Sequence, residues 1–387
     1  MERSLHQEAT ERFYKYQVRY FKFLAIWRLP DLVTPQERRL YRIRFWVMLA
    51  GLCLLLTFFS IRFLGNIGAL HEIIKIFFIF ATELSCLAKF LTVRVNNDKH
   101  ARLVRMMHEE AFQPASKAEM ESFYLVERTV RTISVGYGAL SLVAVHFVLL
   151  TQMVVDRAEL PLSMYEPCDV SIPQCYLAMY LFQYVAVTLS CYINISYDSI
   201  SVALLLYVQA QLKMLATRLE KLGWGVPMSN RVIAQQLRSC AIYFERILEL
   251  KELVEGFVKP AGSVQIFCSV LVLICNFYDM STKSDGTANM IKTCIYQMVM
   301  LQQIFMICYA ANEVTLESAR LKHAIYKSNW QSWNQSNRKL CLLMMMRFDS
   351  PLHVRTINPT YSFSLAAFTS IVNSSYSYFA LLKKVNS

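Results

Sequence analysis

The last apolar run of the chain, residues 360–384, carries hydroxyl and amide side chains at regular spacing. If the run is helical, residues at steps of three or four fall on one face. The stripe defined in this way consists of Ser370, Asn373, Ser377, Leu381 and Val385. Hydroxyls and amides can replace water around a passing cation, while apolar side chains at one constriction can close the path. The same small polar residues can instead join two membrane helices through interhelical hydrogen bonds, and the spacing leaves both uses open.

Other patterns that carry chemistry do not occur in the sequence. It contains no GxSxG, HExxH or phosphate-binding loop motif. Its eleven cysteines form no CxxC pair and have no metal-ligand spacing with histidine. We therefore expect no enzyme activity, no bound metal and no cofactor. Cys168 and Cys175 share one loop, and they could pair only where that loop faces an oxidising compartment.

The elements that must position the polar stripe are membrane helices, as the composition indicates. Hydrophobic residues make up 55% of the 387 residues, charged residues 18%, and the mean hydropathy is +0.32. The apolar residues occur in runs of about twenty, the length at which a helix crosses a bilayer. The net charge of +12 could suggest nucleic acid, but the basic residues lie between the apolar runs without an RNA- or DNA-binding motif.

Seven segments are long and apolar enough to cross a membrane, so we predict an all-α, polytopic fold with seven transmembrane helices. They are residues 43–63, 73–93, 132–155, 175–204, 258–279, 291–313 and 358–382. The second contains Glu83, which should face other helices or water because a carboxylate in the hydrocarbon centre is costly. A buried carboxylate that pairs with a neighbouring lysine is the simplest expectation for this residue.

The distribution of lysine and arginine predicts the orientation of the spans. The N-terminal segment and alternate loops hold 33 of these residues, whereas the opposite segments hold seven. The N-terminus is therefore expected in the cytosol and, after seven spans, the C-terminus outside the cell. A G-protein-coupled receptor has the opposite orientation, so this topology argues against that class.

Two cytosolic segments are expected to continue the membrane helices beyond the bilayer. Apolar residues recur at helical spacing over 205–257, with one break at LGWGVP, and again over 306–330. Such extensions can pack as an anchor-like bundle within one chain or between subunits. The predicted units are a cytosolic segment 1–42, helices one to four over 43–204, a cytosolic helical loop 205–257, helices five and six over 258–313, an anchor region 314–357, and the last helix with the C-terminus over 358–387.

The segment 312–387 carries a distinctive set of polar and aromatic residues. The spaced members of the set are Asn312, Glu313, Ser318, Leu321, Ala324, Tyr326 and Trp330. A basic pair, Arg338-Lys339, and Pro351 follow, and the chain closes with SSYSYFALL. This pattern resembles the C-terminal part of the insect odorant receptors. The remainder of the chain fits that family by its length, its seven spans and its inverted topology.

Several details bear on the place of the chain within the wider superfamily. Odorant receptors often have Gln-Lys before the proline, where Asp349-Ser350 stand here. Gustatory receptors carry Gln-Phe in the last helix, where this chain has Ala367-Phe368, which favours an odorant receptor. The loop 198–260 is shorter than that of the shared co-receptor, which favours a ligand-tuning subunit. The alternatives are a gustatory-type receptor channel and, outside the superfamily, a secondary transporter, although the repeats and broken helices typical of transporters are not evident.

The resemblance implies a tetrameric, odorant-gated cation channel in the plasma membrane of a sensory neuron. The tuning subunit would assemble with the odorant receptor co-receptor, and the pore would run between the four last helices. Ser370, Asn373 and Ser377 would then line the pore, and Leu381 and Val385 would lie at its extracellular-side gate.

The resemblance also implies a ligand pocket among the second, third, fourth and sixth helices, in the outer half of the membrane. The candidate residues of those halves are Phe77, Phe80, His146, Leu150, Met153, Tyr180, Tyr184, Tyr296 and Met300. A cavity of aromatic and methionine side chains suits a small, volatile, mostly apolar odorant. Core packing of the aromatic residues, and a hydrogen bond from His146 to a neighbouring helix, are the simpler alternatives.

Overall fold

The regular elements of the computed structural model are helices over the residues that it describes, which are 2–26, 34–66, 70–95, 97–155, 160–224, 229–282 and 287–386. In chain order these residues form α1 (Glu2–Phe23), α2 (Pro35–Gly65), α3 (Leu70–Val95), α4 (Asn97–Met107), α5 (Lys117–Val155), α6 (Pro173–Glu220), α7 (Asn230–Thr282), α8 (Thr287–Tyr326), α9 (Gln335–Arg347) and α10 (Leu365–Asn386). Short 3-10 turns occupy Glu110–Phe112 and Trp330–Ser332, and an isolated bridge joins Arg355 to Ser362. The predicted all-α class is confirmed.

Within those residues, six helices are long and apolar enough to cross a membrane, namely α2, α3, α5, α6, α7 and α8. The first six predicted spans lie inside them. The polar α10 packs beside α7 and α8, and it begins at Leu365, later than the predicted start at residue 358. The chain folds back before this helix because the amide of Phe363 donates to the carbonyl oxygen of Val354 at 2.9 Å. Ser364 then caps α10 by accepting from the amide of Ala367 at 3.1 Å.

Helix α6 forms the centre of the bundle. Almost every residue from Ser190 to Ala216 is buried, and α1, α5, α7 and α8 all pack against it. A helix that is apolar around its whole circumference is stable only when other helices enclose it. The polar side chains that α6 carries in this stretch are therefore forced to find their partners inside the protein.

The helices α6, α7 and α8 continue beyond their apolar spans, as the spacing predicts. Gln211 on α6 accepts from the hydroxyl of Tyr243 on α7 at 2.5 Å. The turn that follows α6 requires Gly223, whose φ is +74° and where a Cβ atom would come within 2.6 Å of the indole nitrogen of Trp333. The break at LGWGVP therefore contains this turn, although its residues 225–227 lie outside the described ones. The cytosolic location of the bundle stays a prediction.

Two aromatic contacts stabilise the N-terminal half. Phe13 on the charged helix α1 is buried, and its ring centroid lies 4.8 Å from that of Phe123. The ring of buried His100 on α4 lies 4.6 Å from the ring of Phe257. The pKa of His100 is lowered to about 4. Burial is the main cause and the charge of Lys99 adds to it, whereas a hydrogen bond with the backbone of Val93 opposes the shift.

Candidate functional site

Helix α10 has one packed face and one uncovered polar face. On the packed side, Phe368 contacts Phe305 of α8 with ring centroids 5.5 Å apart, and Ser375 is fully buried. The opposite side forms an open groove of about 740 Å³. It is lined by Ala366, Thr369, Ser370, Asn373, Ser374, Ser377 and Tyr378. The predicted stripe of Ser370, Asn373 and Ser377 is thus exposed along this groove.

Two of the hydroxyl groups in the groove are oriented by the helix itself. Thr369 donates its hydroxyl proton to the carbonyl oxygen of Leu365 at 3.1 Å, and Ser377 donates to that of Asn373 at 2.9 Å. Because each proton is held by the backbone, the oxygen lone pairs remain free to accept or to coordinate. The groove therefore presents oxygen atoms with partial negative charge, which suits a cation more than an anion.

The remaining two members of the stripe, Leu381 and Val385, lie in the last turns of α10. The backbone of α10 stays helical through Leu381 and Val385, which keeps both on the helical face of Ser377 by spacing. Their side chains lie outside those that the structure describes. Their position at a gate stays a prediction.

The first group of predicted ligand residues joins α5 to α6. The ring of His146 meets that of Tyr184 at 5.7 Å, edge to face, and the rings of Tyr180 and Tyr184 stack at 6.3 Å. The hydroxyl of Tyr180 donates to the carbonyl oxygen of Leu149 at 3.2 Å. The Nδ1 atom of His146 lies 2.8 Å from the carbonyl oxygen of Leu142, one turn earlier on its own helix. The expected hydrogen bond from His146 to a neighbouring helix is therefore replaced by one within α5.

A second group joins α3 to α8. Phe77, Tyr296 and Met300 belong to one apolar cluster, together with Ala81 and residues of α7. The hydroxyl of Tyr296 lies 2.5 Å from that of Thr82. Sequence reasoning did not single out Thr82, because a threonine beside a carboxylate in an apolar run has no distinguishing pattern.

The other predicted ligand residues lie apart from these two groups. Phe80 packs in a different cluster, with residues of α2 and α6. Leu150 is 48% exposed on the outside of α5. The side chain of Met153 lies outside those described. The structure thus brings six of the nine residues into two groups and leaves the role of each in ligand binding as a prediction.

Among the side chains that the structure describes, Glu83 pairs with a serine and not with a lysine, which corrects the expectation for this buried residue. It accepts a hydrogen bond from the hydroxyl of Ser190 on α6 at 2.7 Å. The lysine on the same helix, Lys89, instead pairs with Asp198 at 2.7 Å. The reason is helical geometry, since positions 83 and 89 are not three or four residues apart and so point to different sides of α3.

A disulfide bond joins Cys168, in the loop between α5 and α6, to Cys175 in the first turn of α6, with Cα atoms 6.2 Å apart. Elsewhere in the described ranges, no three histidine, cysteine, aspartate or glutamate side chains gather as a metal site would require.

Comparisons with known proteins agree on one family. The sequence model of the family described as 7tm Odorant receptor matches residues 69–376. The chain is 49% identical over 382 residues to Odorant receptor 46a, isoform B, of Drosophila melanogaster, an alignment that covers 98% of this chain and 100% of that protein. It is 38% identical over 386 residues to isoform A, with the same coverage. The structure of the insect olfactory receptor OR5 from Machilis hrabei in complex with eugenol has a TM-score of 0.84 at 18% identity and covers 96% of this chain and 98% of that one.

Proposed function

Because the chain belongs to the insect odorant receptor family, we propose that it is the ligand-tuning subunit of an odorant-gated cation channel whose pore is lined by α10. The observation that carries this proposal is the uncovered polar face of α10. A helix surrounded by lipid would expose apolar side chains, whereas Ser370, Asn373 and Ser377 are exposed here. Four such faces turned toward a common axis would enclose a path lined by oxygen atoms.

The partners of this subunit would be copies of the odorant receptor co-receptor in a heterotetramer. The extensions of α7 and α8, together with α9, expose large apolar side chains that one chain leaves uncovered. They include Ile242, Leu316, Leu342, Leu343 and Met346. Apolar surface of this extent in the described part of a chain fits a subunit interface.

The proposed location is the plasma membrane, with the N-terminus in the cytosol and the C-terminus outside. The excess of basic residues on one side supports it. The disulfide between Cys168 and Cys175 gives independent support, since it lies in a loop that this orientation places on the oxidising side.

The ligand would be a small, volatile and mostly apolar molecule that binds beside α3, α5, α6 and α8. The groups around His146 and Tyr184, and around Phe77 and Tyr296, would form its walls, with a tyrosine hydroxyl available for one hydrogen bond. Opening would follow a population shift, because a ligand favours the open state only by its higher affinity for that state. Helix α8 touches α10 through Phe305 and Phe368, which gives a direct route from these helices to the gate at Leu381 and Val385.

The experiment is to record odorant-evoked current from cells that express the chain with and without the co-receptor. Current that requires both chains is expected, whereas solute flux without current would indicate a transporter. Ser377→Ala and Asn373→Leu should change cation permeability ratios or single-channel conductance. Ser375→Ala is the matched control, because Ser375 also donates to its own helix at 2.8 Å but is fully buried on the packed face. Unchanged conduction in both groove variants would contradict the pore assignment.

A separate substitution tests the proposed gate. Leu381→Ser is expected to raise ligand-independent current, because a polar side chain at an apolar constriction favours water entry. Unchanged resting current in an assembled channel would remove Leu381 from the gate.

A further inference from the structure

Three helices of the bundle are joined by a buried polar network at the level where α3 approaches its C-terminal end. Asp198 on α6 is its centre. Lys89 of α3 pairs with the two oxygens of that carboxylate at 2.7 and 2.9 Å. Tyr137 of α5 donates its hydroxyl proton to the same carboxylate at 2.9 Å. None of these three side chains is more than 5% exposed.

The network continues along α6 toward the middle of α3. Lys89 also donates to the side-chain oxygen of Asn194 at 2.8 Å. Asn194 donates to the backbone oxygen of Ser190 at 3.0 Å, and the Ser190 hydroxyl donates to Glu83 at 2.7 Å. We call these side chains the α3–α5–α6 network. Its members are Glu83, Lys89, Tyr137, Ser190, Asn194 and Asp198.

The network also reaches the two helices that hold α10. Helix α8 packs against both α5 and α6, and the buried side chain of Gln303 on α8 lies near the Tyr137 hydroxyl group. Gln303 accepts in turn from the amide of Gln265 on α7 at 3.3 Å. Helices α7 and α8 carry the aromatic contacts to α10, Phe277 to Tyr376 at 6.4 Å and Phe305 to Phe368 at 5.5 Å. A continuous set of contacts therefore runs from the helices of the proposed ligand site to the helix of the proposed pore.

A buried ion pair in an apolar bundle restrains the helices that carry it. Separating Lys89 from Asp198 would leave two charges without partners in a region from which water is excluded, and such a state is strongly disfavoured. Helices α3 and α6 cannot slide past each other at this level without breaking the pair, and α5 cannot slide past α6 without breaking the hydrogen bond from Tyr137 to Asp198. If a ligand moves the outer half of one of these helices, all three helices must then be displaced together.

We propose that the α3–α5–α6 network couples ligand binding to channel opening: it makes the three helices move together and passes their displacement to α7, α8 and α10. Its members are positioning residues for gating and do not touch the ligand. This inference rests on the proposed channel function, and it adds a coupling element that lies outside both the ligand groups and the pore face.

The test uses conservative variants that each remove one contact. Tyr137→Phe deletes the hydrogen bond to Asp198, and Ser190→Ala deletes the one to Glu83. Ser196→Ala is the matched control, because this buried α6 serine donates only to the carbonyl oxygen of Tyr192 in its own helix, at 2.7 Å. Each variant is expressed with the co-receptor, its surface density is measured, and EC50 values are determined for a panel of chemically different odorants.

The expected result is a rise in EC50 of about tenfold for Tyr137→Phe, the size that follows from losing a hydrogen bond to a charged group. The factor should be the same for every odorant, because the change affects the opening equilibrium and not ligand recognition. Ser190→Ala should act in the same direction, Ser190→Thr should restore the wild-type response, and Ser196→Ala should leave it unchanged. The double variant of Tyr137→Phe with Ser190→Ala should shift EC50 by less than the product of the single shifts, since both act through one network.

Odorant-specific factors, or an equal shift in Ser196→Ala, would overturn the proposal. Unshifted EC50 values at wild-type surface density would also overturn it. If Tyr137→Phe does not reach the surface, the comparison of Ser190→Ala with Ser190→Thr decides by the same criterion. Loss of evoked current in the assembled wild-type receptor is a different result, because it contradicts the proposed function itself.

Discussion

Gln183→Leu tests how the loop between α5 and α6 is attached to the bundle. The side chain of Gln183 on α6 is fully buried, and its amide pairs with both backbone groups of Leu162. The Oε1 atom accepts from the Leu162 amide at 3.0 Å, and Nε2 donates to its carbonyl oxygen at 3.1 Å. This pairing places Leu162 and Met164 in an apolar cluster with Leu55 and Phe59 of α2.

The expected cost follows from the groups that the substitution leaves unpaired. Leucine has a volume similar to that of glutamine, so packing is largely kept while both hydrogen bonds are lost. An unpaired buried backbone group costs about 1–3 kcal/mol, and two such groups cost roughly 2–6 kcal/mol. With a mid-range value of about 4 kcal/mol and an unfolding entropy of about 2.1 cal/mol/K per residue, a chain of this length should lose roughly 5 °C in Tm.

The measurement is the Tm of the detergent-solubilised receptor, followed by size-exclusion chromatography after heating. Gln174→Leu is the control, since Gln174 lies on the same helix but is exposed, and its variant should unfold at the wild-type temperature. The same samples can be probed for reduction of the disulfide between Cys168 and Cys175, which should become faster when the loop detaches. Equal Tm values for Gln183→Leu and Gln174→Leu would refute the view that the amide pairing fixes this loop.

Two further predictions concern the ligand groups and acid stability. Tyr184→Ala and Phe77→Ala should change odorant EC50 values by factors that differ between odorants, with little change in maximal current; a uniform loss with reduced surface expression would indicate packing instead. Because burial lowers the pKa of His100 from 6.5 to about 4, the folded state binds fewer protons than the unfolded state between these values, and stability falls as the pH drops. From pH 7 to pH 5 the loss should be about 2 kcal/mol, measured as a fall in Tm that is smaller in His100→Phe, and equal falls in both proteins would contradict the assignment.

The sequence was sufficient for the features that depend on one helix at a time. Apolar runs of membrane length are local properties, so the first six spans lie within helices of the structure. The stripe of Ser370, Asn373 and Ser377 depends only on helical spacing, and these residues share one exposed face. The start of α10 was predicted too early, because the pairing of Phe363 with Val354 reflects a fold of the backbone and not a change in composition.

Features that depend on two helices could not be predicted in the same way. Nothing in the order of residues shows that Lys89 pairs with Asp198, because the two lie 109 residues apart in the sequence and on different helices. Glu83 was expected to pair with a lysine, and its partner is the hydroxyl of Ser190. The nine ligand candidates share chemistry but not a location, since Phe80 packs with α2 and Leu150 points outward. Side-chain orientation across helices decides each of these cases, and periodicity leaves it open.

The polarity of α10 bears directly on its proposed role. Serine, threonine and asparagine lower the mean hydropathy of a helix, yet each serine or threonine can donate its proton to the helix backbone and remain compatible with a membrane. The cost of the exposed oxygens is small if they face water and large if they face lipid. In a single chain this polar face of α10 is uncovered. Because the face is more stable against water than against lipid, it favours an assembly in which several such faces surround water. Ser375 shows that a serine of α10 can also serve in packing. Its hydroxyl group is fully buried against the bundle, so it cannot contact an ion in the groove.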